Sequence, residues 1–96
     1  MRAARTDNTH AAIRDGLRED GHTVFDAHCA GHGFPDLVVL TRITRTTLLI
    51  EVKTPGGEMT PDEIEFWLTW RGCKGGVAYS LAQARAIVEM YDQEKS

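Results

Sequence analysis

A chain of 96 residues with ordinary apolar and charged fractions is sized for one core, so residues 1–96 are expected to form a single domain. No apolar run approaches the ~20 residues that span a bilayer, and no apolar segment follows the basic start Met1-Arg2-Ala3-Ala4-Arg5, which argues against a membrane anchor or a secretory leader. The net charge of −3 disfavours a nucleic-acid binder that works by bulk electrostatics alone, although eight of the 11 cationic residues are arginines, the better phosphate contacts. Cys29 and Cys73 are too few and too far apart for a disulfide framework, so a cytoplasmic setting is expected.

The first helix is expected over residues 7–20, where Ile13 and Leu17 sit four apart and Gly21 supplies a stop; Gly16 inside it weakens the pattern. Arg2 and Arg5 precede it on an N-terminal arm. Residues 22–27, around Val24 and Phe25, suit a short strand. A glycine-rich loop follows, His28-Cys29-Ala30-Gly31-His32-Gly33-Phe34-Pro35, permissive of unusual backbone angles and of a ligand's close approach. Two strands are expected next, residues 36–41 and 47–53. A four-residue loop over 43–46 pairs Arg42 with Thr47 and Asp36 with Lys53, and places Glu51 on the diagonal.

Thr60-Pro61-Asp62-Glu63 carries the signals of a helix start: an N-cap threonine, proline in the first turn, and glutamate three residues after the cap. That helix runs through Phe66, Trp67 and Trp70 to Gly72; the two tryptophans suit a core or a dimer interface. Val77-Ala78-Tyr79 is a short strand. Ser80 and Gln83 repeat the capping-box pattern before a stripe of Ala84, Ile87, Val88 and Tyr91 at helical spacing. The order αβββαβα predicts an α/β sandwich with a small mixed sheet flanked by helices.

Charge placed beside a core points to chemistry. Asp36 opens the apolar run Leu37-Val38-Val39-Leu40, and Glu51 and Lys53 close the run Leu48-Leu49-Ile50. Alternation puts Leu49, Glu51 and Lys53 on one face, and the expected register brings Asp36 to the same face. Two carboxylates supply hard oxygen ligands for Mg²⁺ or Mn²⁺, with the Val52 carbonyl as a further ligand. A lysine beside them assists at a phosphate. This is the equipment of a metal-dependent phosphodiesterase; an ion pair capping a strand end accounts for one acid and one lysine but not for two acids.

Three blocks in order, Gly33-Phe34-Pro35-Asp36-Leu37-Val38-Val39, Leu49-Ile50-Glu51-Val52-Lys53-Thr54-Pro55-Gly56-Gly57 and Met59-Thr60-Pro61-Asp62-Glu63-Ile64-Glu65-Phe66, resemble the VRR-NUC nucleases of the PD-(D/E)XK superfamily, in particular short stand-alone phage and bacterial members. The resemblance implies a restriction-endonuclease-like fold, and a DNA endonuclease dependent on Mg²⁺ or Mn²⁺. It also implies a homodimer acting on branched substrates in the manner of Holliday-junction resolvases, in a bacterial or phage-infected cell. Asp36, Glu51, Lys53 and Glu63 become the catalytic set, with Asp36, Glu51 and the Val52 carbonyl on the metal. His32, Gly33, Arg42 and Arg45 are the residues expected on DNA.

Two positions depart from the family pattern. Members typically carry a glutamate on the first helix, and in Asp7-Asn8-Thr9-His10-Ala11-Ala12-Ile13 that position is taken by Ala12, with Asn8 and Asp15 on the same helical face as possible substitutes. Glu63 stands where glutamine is usual, and as N3 of a capping box it also has a structural use. Ala12 supports an alternative, a catalytically impaired DNA-binding module of the same fold. A third reading builds a zinc-bound interaction domain on His28, Cys29 and His32, with Asp26 and the distant Cys73 as further ligands, although their spacing fits no common zinc motif.

Overall fold

The computed structural model describes residues 3–94, with side chains from Asn8 onward. Arg2 therefore lies outside the described residues, and the Arg5 backbone belongs to the first helix. The elements are α1 (Ala3–Glu19), β1 (Thr23–Asp26), β2 (Leu37–Leu40), β3 (Thr47–Val52), α2 (Pro61–Thr69), β4 (Gly75–Ala78) and α3 (Leu81–Tyr91). They follow the expected αβββαβα order. The strands form one mixed sheet in the order β1-β2-β3-β4, antiparallel except for the parallel β3–β4 pair.

One face of the sheet carries the apolar core. Val24, Leu37, Val39, Leu48, Ile50 and Ala78 alternate inward and meet Ile13 and Leu17 of α1 and Ala84 and Val88 of α3. Burying such side chains contributes about 1.5–3 kcal/mol each, so this layer is the main source of stability. Gly16 has a packing reason: Leu81 of α3 lies where a β-carbon would stand, and the two helices meet there.

Two expectations need correction. The β2–β3 register pairs Leu37 with Ile50 and Leu40 with Thr47, so the connection spans residues 41–46 and Asp36 falls opposite Glu51 rather than Lys53. The shift is two residues, which leaves every side chain on its expected face. Its cause is remote in sequence. The buried carboxylate of Asp92, just past α3, accepts hydrogen bonds from the backbone N–H groups of Ile43 (3.2 Å) and Thr44 (2.8 Å), and holds the connection open. The Thr41 hydroxyl accepts from the Thr46 N–H at 2.9 Å, and Arg45 adopts φ 59°. Burial pushes the Asp92 carboxyl up, but the donors from Thr44, Thr41 and Ile43 outweigh it and bring it down to about 2.

The second correction is β4, which begins at Gly75 rather than Val77 because Gly75 and Gly76 pair with Leu49 and Ile50. The caps are as expected for Thr60 and Glu63, each side chain bonding the other's backbone N–H (3.2 and 2.8 Å). At Ser80 the hydroxyl caps Gln83 (3.1 Å), but the Gln83 carbonyl oxygen accepts from the Tyr79 N–H (2.7 Å), one residue earlier than a capping box requires.

Candidate metal and phosphate site

Asp36 precedes β2 by one residue, and the β1–β2 ladder extends to it through a hydrogen bond from the Ala27 N–H to its carbonyl at 2.7 Å. Its carboxylate reaches across to β3, where Oδ2 accepts from the Val52 N–H at 2.8 Å. Glu51 lies on the face opposite Ile50 and is only 2% exposed. Its Oε1 is buried with no hydrogen-bond partner. A carboxylate oxygen in that position strongly disfavours its own ionisation. Burial, the neighbouring Asp36 and then Glu63 push the Glu51 carboxyl up to about 9.

Lys53 and Glu63 complete the cluster. The Lys53 ammonium is 2.6 Å from Glu63 Oε1 and 3.7 Å from Glu51 Oε2. Burial works against its charge, but Glu63, Glu51 and Asp36 outweigh it and raise its proton affinity. Glu63 is pulled below its ordinary value: burial opposes this, yet Lys53 and the Thr60 N–H stabilise its charge more strongly. Glu63 thus serves the helix cap and the cluster together. Gly33 permits this assembly, because at φ 79° its α-carbon lies against the Asp62 carbonyl at the start of α2, where any β-carbon would collide. That contact seats the N-terminus of α2 beside Lys53.

This donor set fits a hard divalent cation. Two carboxylates face one another, one of them holds an oxygen in reserve, and their mutual repulsion is the kind of strain a dication relieves. The adjoining cleft, about 560 Å³, is lined by Asp36, Val52 and Lys53 together with residues of α1 and β1.

Other predicted residues fare differently. His32 is exposed, at φ 57°, and is not among the residues lining the cleft. Arg42 and Arg45 are exposed on the β2–β3 connection, at the opposite end of the hairpin from Asp36. At ~3.3 Å per residue, β2 separates them from the cluster by roughly 15 Å, so the structure does not bring them to it. Ala12 is exposed along with Asn8 and Asp15, and the α1 residues facing the cleft are His10, Ala11 and Arg14. None of these three carries a carboxylate, and Asn8, Ala12 and Asp15 are not among the residues lining the cleft. Trp70 is 53% exposed and stacks on Phe66 at 5.2 Å, so it is not core.

The zinc set expected from the sequence is also revised. His32 is absent from it, and Cys29 Sγ meets only the far nitrogen of His28, at 3.4 Å. Instead Asp26 gathers His10 (3.0 Å), His28 (2.9 Å) and Arg14 (3.2 Å). Sequence reasoning missed His10 because its closeness to Asp26 depends on α1 crossing β1. Burial raises the Asp26 carboxyl, but hydrogen bonds from His28, His10 and Arg14 together carry it far below the ordinary value.

The model of the VRR-NUC domain matches residues 9–86. A solved structure described as a VRR-NUC domain superposes with a TM-score of 0.63 at 22% identity, covering 92% of this chain and 95% of its own, a likeness of fold. No curated protein matches the chain.

Proposed function

Since this chain belongs to the VRR-NUC family of nuclease-type domains, we propose that it is a divalent-metal-dependent DNA endonuclease that hydrolyses phosphodiester bonds in branched DNA and acts as a homodimer. The observation that carries this reading is the buried, unpartnered Glu51 oxygen beside Asp36, with Lys53 at the same rim. Asp36, Glu51 and the Val52 carbonyl hold the cation, Mg²⁺ or Mn²⁺. When bound, it supplies charge stabilisation at the phosphate and a more acidic water. Asp36 is oriented by the Val52 N–H. Lys53, kept charged by Glu63, places an ammonium group against the phosphate oxygens, and Glu63 holds that lysine in position.

The homodimer reading is supported by the second face of the sheet. Phe25, Val38 and Leu49 form one row across β1, β2 and β3, and Phe25 is 67% exposed. Leu68 of α2 and Trp70 at its C-cap add exposed apolar surface at 62% and 53%. A preference for branched DNA rests on the family resemblance, and a cytoplasmic setting is consistent with the lack of a described helix long and apolar enough to cross a membrane.

The test is cleavage of linear, flap and four-way DNA with Mg²⁺ or Mn²⁺. Cutting of the four-way substrate, abolished by chelator and by Asp36→Asn, is expected. Tight binding to branched DNA without cleavage under either metal overturns the enzyme. It would select the impaired DNA-binding module, a reading favoured by the lack of an α1 carboxylate lining the cleft among the described residues.

A further inference from the structure

The cleft has a second wall that the nuclease reading leaves unused. His10 of α1, Asp26 at the end of β1 and His28 two residues beyond bring one ring nitrogen of each histidine and an Asp26 carboxylate oxygen within 4.8 Å of one another. We propose that these three residues form a distinct transition-metal site, for an imidazole-preferring ion of the Zn²⁺ class.

The geometry is close to what such an ion needs. The two imidazole nitrogens lie 3.0 and 2.9 Å from the two oxygens of one carboxylate. In a tetrahedral site with metal–ligand bonds of about 2.0–2.1 Å, neighbouring ligand atoms stand about 3.3 Å apart. Each nitrogen already lies near that spacing from one carboxylate oxygen, and with one atom per residue the set lies within 4.8 Å, so side-chain rotation is enough to close it around an ion. His10 and His28 hold their rings at 64° to one another with centroids 5.2 Å apart, and a nitrogen of each already points at the Asp26 carboxylate. Two nitrogens and one oxygen favour the borderline d-block ions over Mg²⁺, in contrast to the all-oxygen Asp36–Glu51 set. Three protein ligands leave a fourth position open, and all three line the cleft shared with Asp36 and Lys53.

Surrounding groups suit the role. Cys29 Sγ contacts His28 Nε2, the nitrogen that the ion leaves free, and so helps fix the ring. Arg14 is the competing cation on Asp26, but its guanidinium also contacts Asp15 at 2.8 and 3.4 Å and has a place to stay when the ion arrives. The bound ion would put positive charge on the α1 wall of the cleft, lined by His10, Ala11 and Arg14.

This inference does not depend on the nuclease reading, and it is tested where that reading has been disabled. The full chain carrying Asp36→Asn and Glu51→Gln is stripped with chelator and titrated by calorimetry with Zn²⁺. Co²⁺ is added in parallel as a visible-absorption probe. One equivalent of Zn²⁺ is expected, with Co²⁺ giving the intense visible bands of a low-coordinate site. His10→Gln and His28→Ala, added singly, are each expected to weaken binding at least tenfold, about the lower bound for lost metal contacts. His28 is exposed, so its variant tests the site without threatening the fold, and unchanged circular dichroism confirms that for both. Absence of Zn²⁺ binding, or binding lost with Cys29→Ser and untouched by His10→Gln and His28→Ala, overturns the proposal.

Discussion

Glu51 and Asp26 are carboxylates on one small sheet, and the fold treats them in opposite ways. Asp26 is surrounded by donors, two imidazoles, a guanidinium and a backbone N–H, and it holds its charge far into acid. Glu51 is buried against another acid with one oxygen unpaired, and in the metal-free protein it holds its proton to about pH 9. Without a bound ion, Asp26 is satisfied by groups within the chain. Glu51 is a group whose needs are met only by something the chain does not contain. Stability placed at one site and withheld at the other is a common signature of function.

The sharpest way to break this contrast is at the lysine. Lys53→Ala is expected to lower cleavage by about 10²–10³-fold, the scale of losing one charge-stabilising donor, while DNA affinity measured by anisotropy changes little. Equal loss of binding and cleavage would make Lys53 a simple phosphate anchor.

Glu51→Gln separates function from stability. The folded carboxyl stays protonated to about pH 9 while the unfolded one ionises near its ordinary 4.5, so the metal-free protein loses stability as pH rises between those values. The amide escapes this cost. In metal-free thermal melts at neutral pH the variant is expected to gain Tm, by about 4–8 °C per kcal/mol relieved, with no gain below pH 4.5 and with cleavage abolished. A variant melting below the parent at neutral pH would contradict the assignment of strain to this carboxylate.

Asp92 belongs with Asp26 and sharpens the other side. Asp92→Ala removes the acceptor that holds the β2–β3 connection, for an expected loss of about 1–3 kcal/mol in urea unfolding. Because the folded carboxyl is depressed to about 2 from an ordinary 3.8, its stabilisation is present above 3.8 and fades as pH falls toward 2. The difference between parent and variant should therefore shrink over that range. The smallest effect is expected at Arg42→Ala, with cleavage changed less than about threefold, since an exposed charge beyond a Debye length of about 8–10 Å is largely screened from the reacting phosphate. A larger drop would place DNA across the whole length of the hairpin.

Much of the candidate site was legible because it is nearly local. Asp36, Glu51 and Lys53 sit on two strands joined by a short connection, and period-two alternation alone predicts a shared face. Even an error of two residues in register left them together. Thr60 and Glu63 were readable for the same reason, since a capping box lies within four residues. What stayed hidden required distant parts of the chain to meet. The Asp92 clamp on Ile43 and Thr44, the glycine-led start of β4 and the His10–Asp26–His28 cluster have no local signature. That Ala12 does not line the cleft was hidden as well, because a helix sequence gives the spacing of its faces but not the rotation at which it packs.

By itself the sequence determined the order of the elements, the apolar layer and the pairing of two acids with a lysine, because each follows from periodicity within a few residues. The tertiary structure decided how each charge is held. Whether a carboxylate rests among donors, as Asp26 does, or is left short of one, as Glu51 is, depends on which helix crosses which strand, and packing of the whole core settles that.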